Sequence, residues 1–166
     1  IWVTGELGTA ALGLAKLQNK IQLPQSLSKK AIGSLEKPML HSSIIQSMAK
    51  LSHSAIDISD GLIADLTHIL EASKVGANIA LKDVPMNPWI KKNKLFDIGL
   101  SGGDDYQLLF TAPKKNRNKI NLVSKMPSIK LARIGSIKKE KILTIIDHKG
   151  MLYKLKKGGY DHFETK

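Results

Sequence analysis

The sequence predicts an α+β fold, one mixed β-sheet with helices packed on it. Three observations predict it. Leu62, Ile63, Leu66, Ile69 and Leu70 repeat at helical spacing. Short runs rich in strand formers, such as Ala55 to Ile58 and Asp105 to Thr111, are interspersed with such helices. The chain then runs through strand-like segments at 142–147 and 151–155, joined by the turn sequence His148-Lys149-Gly150. Helices and strands mixed in this way, with a hairpin near the end, suit a sheet covered by helices.

Ile1-Trp2-Val3 reads as the end of a strand. Residues 4–19 place Leu7, Ala11, Leu14 and Leu17 at helical intervals, so a helix is expected there. Residues 20–41 contain Pro24 and Pro38 and read as irregular, with a short helix around Ser28 to Leu35. A helix follows over Ser42 to Leu51, with Ile44, Ile45 and Met48 expected to face inward. Ser59-Asp60-Gly61 breaks the 55–58 strand and precedes the 62–70 helix, which Gly76 is expected to end in a left-handed conformation. Residues 77–83 read as a strand, and Pro85 and Pro88 as marks of a loop. Ser101-Gly102-Gly103 turns the chain into the 105–111 strand, with Tyr106, Leu108 and Phe110 on one face and Gln107 and Leu109 on the other. A lysine-rich helix over roughly 115–125 and a strand at 131–137 complete the pattern.

The chain of 166 residues suits one domain with one core. It has no cysteine, which excludes disulfides, thiolate metal sites and a cysteine nucleophile. No apolar run approaches the ~20 residues of a membrane helix, and residues 1–5 lack the features of a signal peptide. The expected setting is a reducing cytoplasm. The net charge of +12 raises the question of nucleic acid. Lysine pairs such as Lys29-Lys30, Lys91-Lys92 and Lys138-Lys139 are scattered, however, and aromatics make up only 5%, too few for stacking bases. A solvated lysine-rich surface is the simpler reading.

Three segments could carry chemistry. Asp57-Ile58-Ser59-Asp60-Gly61 joins a strand to a helix. Two carboxylates three residues apart can converge on magnesium, which takes hard oxygen ligands. The Ser59 hydroxyl and N–H groups at the helix start favour phosphate. Helix capping explains Ser59 or Asp60 equally well, but it leaves Asp57, a carboxylate in an apolar strand, without a purpose. In Ser101-Gly102-Gly103-Asp104-Asp105-Tyr106, glycines permit close approach and the two acids alternate faces. One acid could face a ligand while the other meets solvent or a backbone N–H; a plain glycine turn, with acids blunting a strand end, explains the spacing as well. In Gly158-Gly159-Tyr160-Asp161-His162-Phe163, the aromatics could stack on a flat cation or fill a core gap.

Together, VTGELGTAALGL at 3–14, IDISDGLIADLTHILEASKVGANI at 56–79, LSGGDDYQLLFTAP at 100–113, RIGSI at 133–137 and GGYDHF at 158–163 resemble the thiamine-monophosphate kinase family. The wider aminoimidazole-ribonucleotide-synthetase-like superfamily is similar more loosely. The resemblance implies the C-terminal domain of that fold, here residues 1–166. An N-terminal domain carrying an aspartate-rich magnesium cluster and the dimer interface is then absent from this chain. It implies direct transfer of the ATP γ-phosphate to thiamine monophosphate, with Mg2+, in a cytoplasmic homodimer. Carried over by position, Asp57 and Asp60 are metal ligands, Ser59 contacts ATP, and Asp104 and Tyr160 bind substrate. Asp104 stands where the family has a glutamate, one methylene longer. No nucleophilic side chain is required, and the isolated chain is expected to be inactive. Two other readings stay open: another ATP-dependent enzyme of the superfamily, or a basic nucleic-acid-binding domain without catalysis.

Overall fold

In a computed structural model, which describes residues 1–39, 42–124 and 130–155, the strands form two sheets rather than one. The larger contains β1 (Trp2–Thr4), β2 (Ser54–Asp57), β4 (Leu108–Thr111) and β5 (Leu131–Arg133) in the order β2-β4-β1-β5, every pair antiparallel. The smaller is mixed. In it β3 (Gly76–Ala80) lies between an antiparallel β6 (Gly135–Lys138) and a parallel β7 (Leu143–Ile146). The α+β class therefore holds, with the mixed pairing confined to the smaller sheet. The expected 131–137 strand is shared between the two sheets. Fully buried Ile134 is the joint: its N–H donates to the Ile1 carbonyl at 3.0 Å, and its carbonyl accepts from Ala80 N–H at 2.8 Å. A side chain at the next residue, Gly135, would meet the Asn78 carbonyl oxygen at 2.1 Å, so only glycine lets the chain cross there.

Alternation along β1 and β4 explains the layers. Val3 and Leu109 face one core; Trp2 and Phe110, directly paired across the strands, stack at 6.4 Å on the other. The helices α1 (Thr9–Leu17), α4 (Leu62–Ser73) and α6 (Phe96–Ser101) contribute to the first core. The helices α3 (Ser42–Ala49) and α7 (Arg117–Val123) cover the second with Ile44, Met48 and Ile120. The five apolar residues predicted for α4 are all buried, each contributing roughly 1.5–3 kcal/mol relative to exposure. Leu108 and Phe110 share one face and Leu109 the other, as the alternation predicts.

Several expectations need correction. Helix α1 begins only at Thr9, and Leu14 and Leu17 lie largely outside the core, at 39% and 53% exposure. Its buried face is Ala10, Leu12 and Gly13, pressed against α2 (Gln25–Glu36), which extends beyond the expected short helix. Ile45 is exposed, because the spacing of Ile44 and Met48 already defines the inner face of α3. Lys74, not Gly76, adopts the left-handed conformation that ends α4, with φ 54°. Gly76 serves the sheet instead: a side chain there would meet the Glu140 carbonyl oxygen at 1.9 Å. Pro88 opens a helix, α5 (Pro88–Lys92), where its missing N–H costs nothing. The expected strand at 151–155 is reduced to a single bridge, Ile146 to Leu152. The turn before it forms, with Gly150 at φ 80° and the Met151 carbonyl accepting from Asp147 N–H at 2.9 Å.

Candidate functional site

The antiparallel register brings four chain segments to one end of the larger sheet. Asp57 pairs with Leu108, and Thr4 pairs with Leu131. Residues 58–61, 104–107, 5–8 and Lys130 therefore extend from the same edge. The aspartate–serine–aspartate–glycine segment and the glycine–acid segment are pinned together beyond the strands. Ile58 N–H donates to Gln107 O at 2.8 Å, Tyr106 N–H to Ile58 O at 2.9 Å, and Asp104 N–H to Ser59 O at 2.9 Å. Two glycines make this approach possible. A side chain on Gly61, at φ 107°, would meet the Ser101 backbone at 2.7 Å, and one on Gly103 would meet the Ser59 carbonyl oxygen at 2.2 Å. Asp104 and Tyr106 take left-handed backbone angles, φ 65° and 48°, so β4 starts at Leu108 rather than Asp105. Such angles are uncommon outside glycine and persist where surrounding bonds over-determine them.

Asp57 is exposed at the strand end, while Ser59, Asp60 and Asp104 are half-buried. These four predicted residues thus lie on two segments in direct contact. Tyr160, with the rest of the 158–163 tail, lies outside the described residues. His68 is an exposed residue of α4.

Two buried carboxylates hold the segments in place. Asp65, 2% exposed, accepts hydrogen bonds at one oxygen from Ser59 N–H (3.0 Å) and Asp60 N–H (3.1 Å). The N–H groups of Ser59 and Asp60, just before the helix, are therefore engaged by the protein itself, while α4 begins after Gly61 with no side-chain cap. Asp105, 7% exposed, accepts from Gly8 N–H (2.6 Å) and Ala10 N–H (3.2 Å) at the start of α1. Of the two acids Asp105 turns inward to backbone N–H groups, but it does so from a loop with left-handed residues on either side and not by the strand alternation expected of the pair. Burial pushes the Asp105 carboxyl up to about 7, against the pull of its two N–H donors, and the charges of Asp104 and Glu6 raise it further. Burial likewise raises Asp65, opposed by the Asp60 and Ser59 N–H bonds. Sequence reasoning missed Asp65, although a signal existed: an acid on the apolar stripe between Leu62 and Ile69 must find an internal partner.

Beside this edge, between α1 and α2, lies a cleft of about 450 Å³. Glu6, Asp105 and Gln107 line it, with Lys29, Lys37 and Lys130 around them. Glu6 is a hub: one oxygen accepts from Thr9 Oγ1 (2.8 Å), Lys30 Nζ (2.8 Å) and Asn87 Nδ2 (3.0 Å). Burial raises its carboxyl, but the bonds from Lys30, Thr9 and Asn87 outweigh this and hold it below the usual range. The segment 5–8, unremarkable as Gly5-x-x-Gly8, thus shapes the cleft wall.

Among the described residues no group of three or more His, Asp or Glu gathers to hold a metal ion. Asp57 and Asp60 provide hard oxygen donors, the type magnesium takes, but only part of a ligand set. Their chemistry fits a magnesium ion whose other ligands are water, phosphate or groups from elsewhere. No helix among the described residues is long and apolar enough to cross a membrane.

Residues 1–148 match the family model for AIR synthase related protein, C-terminal domain. The chain belongs to that family. Within it, the chain is 39% identical to the thiamine-monophosphate kinase of Buchnera aphidicola subsp. Schizaphis graminum, over 98% of this chain and 52% of that protein. It is 36% identical to the thiamine-monophosphate kinase of Escherichia coli K12, over 99% of this chain and 52% of that protein. The chain thus spans about half the length of the curated relatives it matches. The fold is also that of a solved structure of AaThiL complexed with AMPPCP and TMP, with a TM-score of 0.77 and 27% identity over 98% of this chain and 50% of that one.

Proposed function

We propose that the chain is the C-terminal domain of a thiamine-monophosphate kinase, which transfers the γ-phosphate of ATP to thiamine monophosphate and releases thiamine diphosphate and ADP. The observation that carries this reading is the meeting of residues 57–61 with residues 101–106 at one sheet end. That contact sets metal-type carboxylates and a serine hydroxyl beside a second acid on a strained backbone. Kinase relatives of about twice this length, and a related structure holding AMPPCP and TMP, support it.

In this reading Asp57 and Asp60 hold magnesium, and the Ser59 hydroxyl donates to an ATP phosphate. Bound magnesium would neutralise the polyphosphate and align the two reacting phosphates. Asp104 and Tyr160 flank the cationic thiazolium ring of the substrate, the carboxylate by charge and the ring by its face. The substrate phosphate is itself the nucleophile, so the chain need only bind, orient and exclude water. The remaining magnesium ligands and a homodimer interface belong to a preceding domain, and the whole protein acts in the cytoplasm.

The test is a thiamine diphosphate assay with ATP, magnesium and thiamine monophosphate. The chain extended to the length of its relatives is expected to turn over, and the 166-residue chain alone is not. Absence of product from the extended protein would sink the kinase reading; normal turnover by the chain alone would sink the need for a second domain.

A further inference from the structure

The carboxylate of Asp65 is given no part in the ligand assignments above, yet it is bonded directly to two of the assigned residues. It is 2% exposed, and one of its oxygens takes the N–H groups of both Ser59 and Asp60. The titratable groups that act on it are Asp60 on the loop, which raises it, and His68, exposed one turn along α4, which lowers it. The described residues contain one ion pair within 4 Å, Lys30 with Glu6, so Asp65 is held by hydrogen bonds alone. A buried carboxylate without a close cation is costly, and hydrogen bonds from backbone N–H groups offset part of that cost. Its two partners are residues to which the proposed function assigns phosphate and magnesium.

We propose that Asp65 is a positioning residue: by taking the N–H groups of Ser59 and Asp60 it sets the backbone from which those two residues, next to the sheet-held Asp57, present their oxygens to a divalent cation and its phosphate. This rests on the reading of that loop as a metal–phosphate site. Two consequences follow. With the Ser59 and Asp60 N–H groups engaged, those two are not available to an anion, which leaves the Ser59 hydroxyl and the cation as the contacts these residues offer. The loop is also fixed from both sides, by Asp65 beneath and by Asp104 N–H on the Ser59 carbonyl above, so loosening one side moves the donors without unfolding α4.

The test uses Mn2+ as a paramagnetic probe on the chain, read as broadening of the backbone amide resonances of residues 57–61, together with amide hydrogen exchange without metal. In Asp65→Ala, protection of the Ser59 and Asp60 amides is expected to fall by about tenfold or more, and the Mn2+ concentration for half-broadening to rise at least as much. Asp65→Asn keeps one carbonyl oxygen for both donors and should stay within about threefold of the parent on both readouts. Unchanged Mn2+ broadening in a folded Asp65→Ala variant overturns the proposal and leaves Asp65 a structural tie between helix and loop. An Asn variant as defective as Ala overturns it too, because charge rather than acceptor geometry would then matter. If Asp65→Ala does not fold, Asp65→Glu displaces the carboxylate by one methylene, and parent-like Mn2+ broadening in that variant overturns the proposal. Asp57→Asn separates the positioning role from the metal reading beneath it. If it too leaves Mn2+ broadening unchanged, the metal reading fails; if it alone abolishes broadening while Asp65→Ala does not, only the positioning role fails.

Discussion

Asp65 and Asp105 use the same chemistry at different range. Each is a buried carboxylate that accepts two backbone N–H groups and fixes a segment carrying an exposed or half-buried acid. Asp65 reaches back only five and six residues, within one strand–loop–helix unit. Asp105 spans 95 and 97 residues, from the loop before β4 to the start of α1. The local clamp can form as soon as α4 forms. The long-range clamp goes with the pairing of β1 and β4, which brings Gly8 to Asp105 and closes a much longer loop of chain. The electrostatic settings differ too. Asp104 and Glu6 crowd Asp105 with like charge, whereas His68 offsets part of the pressure of Asp60 on Asp65. The two halves of the site are thus built independently, and backbone bonds such as those from Asp104 and Tyr106 to Ser59 and Ile58 join them.

The largest expected effect would break the functional side of this comparison. In the extended protein, Asp57→Asn should lower turnover by two orders of magnitude or more, beyond the roughly 10–100-fold typical of outer-shell changes. Asp57 is exposed, so thermal melting should barely move. A variant with parent-like turnover and magnesium dependence would reduce the 57–61 segment to a helix cap.

Next comes the pH dependence of the long-range clamp. The Asp105 carboxyl lies near 7 in the fold and near its ordinary 3.8 when unfolded. Between these values the native state holds more protons than the unfolded chain, so stability falls as pH rises from about 4 to about 7. The ceiling is on the order of 4 kcal/mol, because each tenfold difference in proton affinity between the two states is about 1.4 kcal/mol. Denaturant unfolding at pH 5 and pH 8 should show the loss, and Asp105→Asn should flatten it. A parent protein equally stable at both values would contradict the assigned charge crowding.

A smaller effect tests the join between the halves. Gly103→Ala puts a methyl group against the Ser59 carbonyl oxygen, 2.2 Å away, and neither side is a flexible side chain. It should cost about 1–3 kcal/mol in urea unfolding and loosen amide protection in both segments together. Loss in one segment alone would show that they are not joined as described.

The smallest effect separates the two acids of the second segment. Asp104→Ala in the extended protein should raise the Michaelis constant for thiamine monophosphate by roughly 2–30-fold, the range of a ~0.5–2 kcal/mol cation contact, and leave that for ATP nearly unchanged. Tyr160→Ala should do the same and Tyr160→Phe much less. Equal effects on both substrates would assign these residues to packing.

Much of this was legible in the chain itself. The apolar period of 62–70 specified both α4 and its buried face, because one helix face against one core leaves a single solution. The alternation at Leu108, Leu109 and Phe110 likewise identified a strand covered on both sides. Asp57, Ser59 and Asp60 stood out because carboxylates bounding a strand–helix junction have few structural uses. Other features could not be read this way. Ile45 looked as apolar as Ile44, and Gly76 looked like a helix end, because local spacing does not say which neighbour will arrive.

By itself, the sequence determined the helices with long apolar periods, the α+β class, the acidic segments and the chemistry their oxygens can offer. All of these follow from residue type and from spacing within a few turns of chain. Tertiary structure alone decided that the chain divides its strands between two sheets at Ile134. It also decided that residues 57–61 lie on residues 101–106, and that the inward acid is Asp105 while Asp104 stays at the surface. Those outcomes depend on antiparallel register between segments some fifty to a hundred residues apart. They also depend on backbone approaches closer than any side chain permits, and neither leaves a local periodicity to be read.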